Sequence, residues 1–94
     1  MAEQTNDSEQ GTDREALGAL GSTVRNARAH ARMRIDDAGD FIGVSADMLS
    51  RLENGKPVTT DRLLKVLQGL GLEMLVVSRS QALNLRDLAL KESE

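Results

Sequence analysis

Two short stretches carry side chains able to make directed hydrogen bonds to a partner. The first is 45–51, in which Ser45, Ala46, Asp47, Ser50 and Arg51 fall within two helical turns. An arginine offers a planar fork of donors, an aspartate offers acceptors, and a serine offers both. The second is 22–35, which holds Arg25, Arg28, His30, Arg32 and Arg34 and no acid. Cations of this density suit a polyanion, and the fork and acceptors of the first stretch suit flat groups set into it. Bond-making chemistry is not expected. His30 is the one histidine and there is no cysteine, so no metal-ligand set exists. No Gly-rich phosphate loop is present. Asp36, Asp37 and Asp40 are close in sequence, but on a helix they read as a favourable first-turn charge and solvated surface. The chain is expected to be no enzyme and to use no cofactor or metal.

The segment 35–56 must position the first stretch. It reads as two short helices joined by a tight turn. The first spans about 36–42 and ends at Gly43, where a left-handed backbone meets no Cβ. Val44 then points inward and Ser45 caps the second helix, which stops at Asn54-Gly55. Ala38, Ile42, Val44, Leu49 and Leu52 are the predicted inward positions. Small and apolar residues at these spacings let two helices cross steeply. This is the layout of a helix-turn-helix, whose second helix enters the major groove of DNA.

At 94 residues the chain is one small domain with loose ends. With no Trp or Tyr and one Phe, its core is aliphatic, and a dimer would add buried area that so small a domain lacks. The net charge of −3 argues against a nucleic-acid partner until it is divided along the chain. Residues 1–15 sum to −4, 16–79 to +2 and 80–94 to −1. A basic stripe on one element matters more than the total. The alternative is a solvated helix face. No apolar run reaches the length of a membrane span, and the acidic N-terminus is unlike a signal peptide, so a cytoplasmic protein is expected.

Along the chain, 1–14 is polar and acidic and is expected to be a disordered tail. Thr12 and Glu15 have the form of a capping box, although Gly18 and Gly21 weaken a helix beginning there. Leu20, Val24, Ala27 and Ala31 then give one narrow apolar face. After the loop at Lys56-Pro57-Val58, Thr59 or Thr60 caps a helix whose apolar face is Leu63, Leu64, Val66, Leu67 and Leu70. The run 72–77, LEMLVV, reads as a strand, with a continued helix through Gly71 as the alternative. A lone strand leaves its backbone unpaired, so Leu72, Met74, Leu75, Val76 and Val77 are expected to pair with the same strand of a second copy. In the flexible tail 80–94, residues 84–90 have the pattern for two helical turns. These are either disordered or ordered against a partner. The domain proper is 15–79.

The run 20–77 resembles the Xre-type, lambda-repressor-like helix-turn-helix family. VRNAR in the first helix, IGVSADMLSRLENGK across the turn and second helix, and LLKVLQGLGL in the last helix carry the resemblance. LEMLVV after them is similar to the closing strand of the HipB-like antitoxin branch. The resemblance implies a mainly α fold of four to five helices, with one C-terminal β-strand pairing across a homodimer. It also implies a repressor of its own operon that neutralises a kinase-type toxin. A stand-alone repressor of phage or mobile-element type is the variant. A protein-interaction module that has lost operator binding is the alternative.

Base reading falls to the N-terminal half of the second helix, hence to Ser45, Ala46, Asp47, Ser50 and Arg51. Arg51 either forks onto a guanine or neutralises a phosphate. Asp47 either accepts from a cytosine or simply favours the helix N-terminus. Ala46 or Met48 would touch a thymine methyl. The phosphate candidates are Arg25, Arg32, Arg34, Asn54, Lys56, Thr59 and Thr60. The family commonly has Gln where Ile35 stands, and Arg32 and Arg34 are close enough to replace its phosphate contact. Arg28 and Glu53 match a pair that forms an internal salt bridge in the family.

Overall fold

The structure is a computed structural model that describes the backbone of residues 2–93 and the side chains of residues 13–90. Five helices follow in order: α1, Ala2–His30; α2, Ile35–Ile42; α3, Ala46–Glu53; α4, Thr60–Gly69; and α5, Arg79–Ser93. The second lies against α3 and α4, and α1 crosses α3 from the other side. Val24 of α1, Ala38 and Ile42 of α2, Leu49 and Leu52 of α3, and Val66 and Leu67 of α4 close the core between them. Val44 joins it from the turn. The spacing of apolar residues thus selects the inward faces of α2 and α3 as predicted.

Local signals set the boundaries. Gly43 ends α2 at φ 93°, and its N–H donates to the Gly39 carbonyl at 2.8 Å. Ser45 caps α3, its Oγ accepting from the Met48 N–H at 3.0 Å. Only three residues separate α2 from α3, so their crossing angle is fixed locally and their shared core needs little length. Residue 32 closes α1. The Met33 N–H reaches the Arg28 carbonyl at 3.3 Å and the Arg32 N–H that of Ala29 at 3.0 Å, the two bonds of a Schellman motif. Arg32 occupies its left-handed position at φ 58°, where glycine is the usual residue.

Four expectations change. Helix α1 reaches back to Ala2 and so includes most of the segment 1–14 expected to be a disordered tail. Helical backbone is all that is described before Asp13. Ala31 lies beyond its end and is exposed, because the Schellman turn carries it off the apolar face. Leu64 of α4 is 48% exposed, since α4 turns Leu63, Val66, Leu67 and Leu70 toward the core instead. Among the described residues there is no β-strand: 72–78 has no regular structure. A strand is defined by the ladder it forms, and a single chain offers this segment no edge to pair with.

The tail 80–94 also differs, for α5 is a 15-residue helix. Its start is encoded in Ser78-Arg79-Ser80-Gln81. The Ser78 Oγ accepts from the Gln81 N–H, and the Gln81 Oε1 accepts from the Ser78 N–H, both at 3.2 Å. That reciprocal pair is a capping box. No helix among the described residues is long and apolar enough to cross a membrane.

Candidate nucleic-acid interface

Helix α3 buries Met48, Leu49, Leu52 and Glu53. Its opposite face therefore presents Asp47 and Arg51, one turn apart, with Ser50 half-buried beside them. These three, with Asn54 and Lys56, line an open depression of about 480 Å³. The Arg51 guanidinium donates to the Pro57 carbonyl at 3.3 Å. This bond leans the side chain toward the loop and leaves the rest of its fork free.

The structure brings only part of the predicted set together. Met48 is in the core at 8% exposure and cannot touch a base, because it lies on the buried face of α3 with Leu49 and Leu52. The Oγ of Ser45 is occupied as the helix cap. Ala46 is half-buried and offers a methyl at the start of α3. Asp47, Ser50 and Arg51 carry the remaining polar reading capacity.

The phosphate candidates divide in the same way. Arg25 donates to the Asn54 Oδ1 at 3.3 Å and lies 3.5 Å from the Glu53 carboxylate. Asn54 in turn donates to the Ser50 carbonyl at 2.8 Å. Both are thus committed to the end of α3, although both remain exposed. Arg34 lies 3.5 Å from Asp36, with both side chains in solvent, a contact that an incoming phosphate can displace at little cost. Arg32 and Lys56 are exposed, and among the described residues neither guanidinium nor ammonium is tied to another side chain. Thr59 precedes α4 without capping it by its side chain, and Thr60 is its first residue. Asp61 occupies that helix end. The Thr59 hydroxyl and the Arg62 N–H hold its carboxyl below the usual carboxylate range. Any anion at α4 meets this charge first.

The ion pair that sets α3 is bidentate. Arg28 Nε and Nη2 donate to the two Glu53 carboxylate oxygens at 2.6 and 2.8 Å, and Nη1 donates to the Met33 carbonyl at 3.0 Å. One guanidinium thereby ties together α1, the turn after it and the end of α3. Glu53 beside it raises the Arg28 pKa, so Arg28 is charged at every working pH. His30 stands exposed, with Nδ1 3.3 Å from the Asn26 carbonyl. Among the described residues no cluster of His, Cys, Asp or Glu could hold a metal ion.

Arg32 missed its structural meaning in the sequence because a left-handed conformation there has no signature in residue type. An L-residue in that region is strained by about 1–2 kcal/mol. Arg32→Gly is therefore expected to stabilise the fold by about 0.5–1 kcal/mol, after glycine's greater unfolded-state freedom is counted. If Arg32 meets a phosphate, the same variant lowers the salt dependence of DNA binding by about one unit of slope per bound chain. Thermal melting and a salt titration read the two effects separately. A destabilised variant would show that the arginine is held by contacts of its own.

A half-exposed recognition helix, set by a turn and a buried ion pair and flanked by cations, is the site of a helix-turn-helix protein. The chain matches the family described as helix-turn-helix domain over residues 19–76, and it belongs to that family. No curated protein matches the chain.

Proposed function

We propose that this protein is a dimeric, sequence-specific repressor that binds operator DNA in the cytoplasm through α3. The observation that carries this reading is the solvent face of α3, where Asp47, Ser50 and Arg51 sit together beside Lys56. Arg51 supplies the fork for a guanine, and Asp47 an acceptor for a cytosine amino group. Arg32, Arg34 and Lys56 supply phosphate contacts that fix orientation. Two chains would read half-sites about one DNA turn, or a multiple of it, apart.

Dimerisation is supported by the exposed apolar side chains of 74–77, which suit pairing of that segment with its copy as a two-stranded ladder. The resemblance to the HipB-like branch extends the proposal to an antitoxin that represses its own operon and holds a kinase-type toxin inactive. The engagement of Arg25, Asn54 and the α4 N-terminus within the chain favours a second reading, a protein-interaction module without operator binding.

Titration of the purified protein onto its own promoter DNA, at two salt concentrations beside a scrambled duplex, separates the two. Preference for the promoter with two chains per site supports the repressor. Equal, weak and strongly salt-dependent binding to both duplexes supports the interaction module. Arg51→Ala is expected to relax specificity at one base pair per half-site, a loss of about 1–3 kcal/mol of discrimination. Uniform weakening across a panel of operator variants would instead assign Arg51 to a phosphate.

A further inference from the structure

We propose that α5 of one chain seats its broader leucine face in the groove beside α4 of a second copy, so that two chains exchange their C-terminal helices. This deepens the dimer reading above and rests on it.

The helix is built to form but not to stand alone. Its capping box lies within the chain itself, yet an isolated helix of this length is marginal in water. Leu83, Leu85, Leu88 and Leu90 are 44–65% exposed. At 100° per residue, Leu85 and Leu88 share a face with Ala82 and Ala89, while Leu83 and Leu90 lie opposite. Phe41 apart, the uncovered large apolar residues described fall within 64–90.

The receiving groove is at the base of that segment. Leu64, Leu67, Leu72 and Met74 line an opening of about 440 Å³, with Gln68 and Glu73 on it as well. Among the described residues the chain's own α5 does not pack extensively on any other helix, and no turn or bend interrupts the 72–78 segment that leads to it.

A second copy meets the requirements. A standard interface uses about 20–30 residues a side, which a ladder of six residues does not approach. The full segment 72–93 with the groove does. An exchange of this kind is made twice about a twofold axis and closes on itself. Among the described residues Glu73 is the one charged residue lining the groove, and Arg86 flanks the Ala82 and Ala89 side of the broader face, so helix and groove carry charges of opposite sign.

The absence of cysteine makes the test direct. Full-length chains carrying Leu64→Cys and Leu88→Cys are mixed and treated with a short bis-maleimide. A covalent heterodimer is expected, while Phe41→Cys mixed with Leu88→Cys gives none. Sedimentation equilibrium of the Leu85→Glu/Leu88→Glu chain should show at least tenfold weaker self-association, with a loss of helical signal no larger than the share of the 15-residue α5. A dimer that cross-links through Val76→Cys but not through the Leu64→Cys and Leu88→Cys pair would overturn the exchange and leave the dimer reading intact. A monomer at every concentration would overturn both. Faster cross-linking within one chain carrying both cysteines would assign the groove to its own α5 and overturn the exchange.

Discussion

Glu53→Ala is expected to destabilise the domain by about 3–5 kcal/mol, the cost of leaving one charge of a buried pair without its partner. Glu53 is 5% exposed in spite of its charge, and its carboxylate is held by both nitrogens of the Arg28 fork. Removing it strands Arg28 against the end of α3 and leaves only the Met33 carbonyl as acceptor. In a domain of this size 1 kcal/mol corresponds to about 4–8 °C, so the melting temperature should fall by at least about 12 °C. Arg25→Ala breaks a longer contact from a half-exposed side chain and should cost no more than about 1 kcal/mol. Asp40→Ala, at an exposed position, should lie within about 0.5 kcal/mol of the parent. Melting curves of the three variants decide the matter. If Glu53→Ala melts with Asp40→Ala, the pair does not hold α3, and the geometry of the recognition face must come from apolar packing alone.

The parts of this fold that were legible in the sequence depend on neighbours close in the chain. Gly43 after Ile42 and Ser45 before Ala46 announce the turn because the turn's geometry is decided within a few residues. Ala38, Ile42, Leu49 and Leu52 announce their faces because helical period and burial coincide. The apolar pattern of 72–77 was equally visible, but a ladder requires a second edge, and residue type cannot say whether one is present. The capping box at Ser78 and Gln81 was available to sequence reasoning and lay concealed at the end of the expected strand. Within the site, spacing identified the outward face of α3 through Asp47, Ser50 and Arg51. It could not tell that Asn54 and Arg25 bond each other, or that Thr59 donates to Asp61, since both depend on how distant or exposed groups settle once the helices pack.

Gly18 and Gly21 show the same boundary between local and tertiary information, and they give the sharpest paired test. Helix propensity treats them alike: each should gain about 1 kcal/mol on replacement by alanine. Their surroundings are opposite. A Cβ on Gly18 would meet nothing within 4 Å, whereas one on Gly21 would press on the Leu52 carbonyl oxygen and stand 2.8 Å from that of Glu53. Both obstacles are backbone atoms at the end of α3 and cannot turn aside as a flexible side chain would. Gly18→Ala is therefore expected to stabilise by about 0.5–1 kcal/mol. Gly21→Ala should destabilise by about 1–3 kcal/mol or more, as overpacking does where the backbone must shift. The required shift separates α1 from α3, which also strains the Arg28–Glu53 pair. Operator affinity should accordingly fall with Gly21→Ala and stay unchanged with Gly18→Ala. Because the two sites lie three residues apart on one helix, their difference in melting temperature measures the crossing and not the helix. Equal stabilisation of both variants would mean that α1 can slide on α3, and that the recognition helix is oriented by the turn after α2 without help from α1.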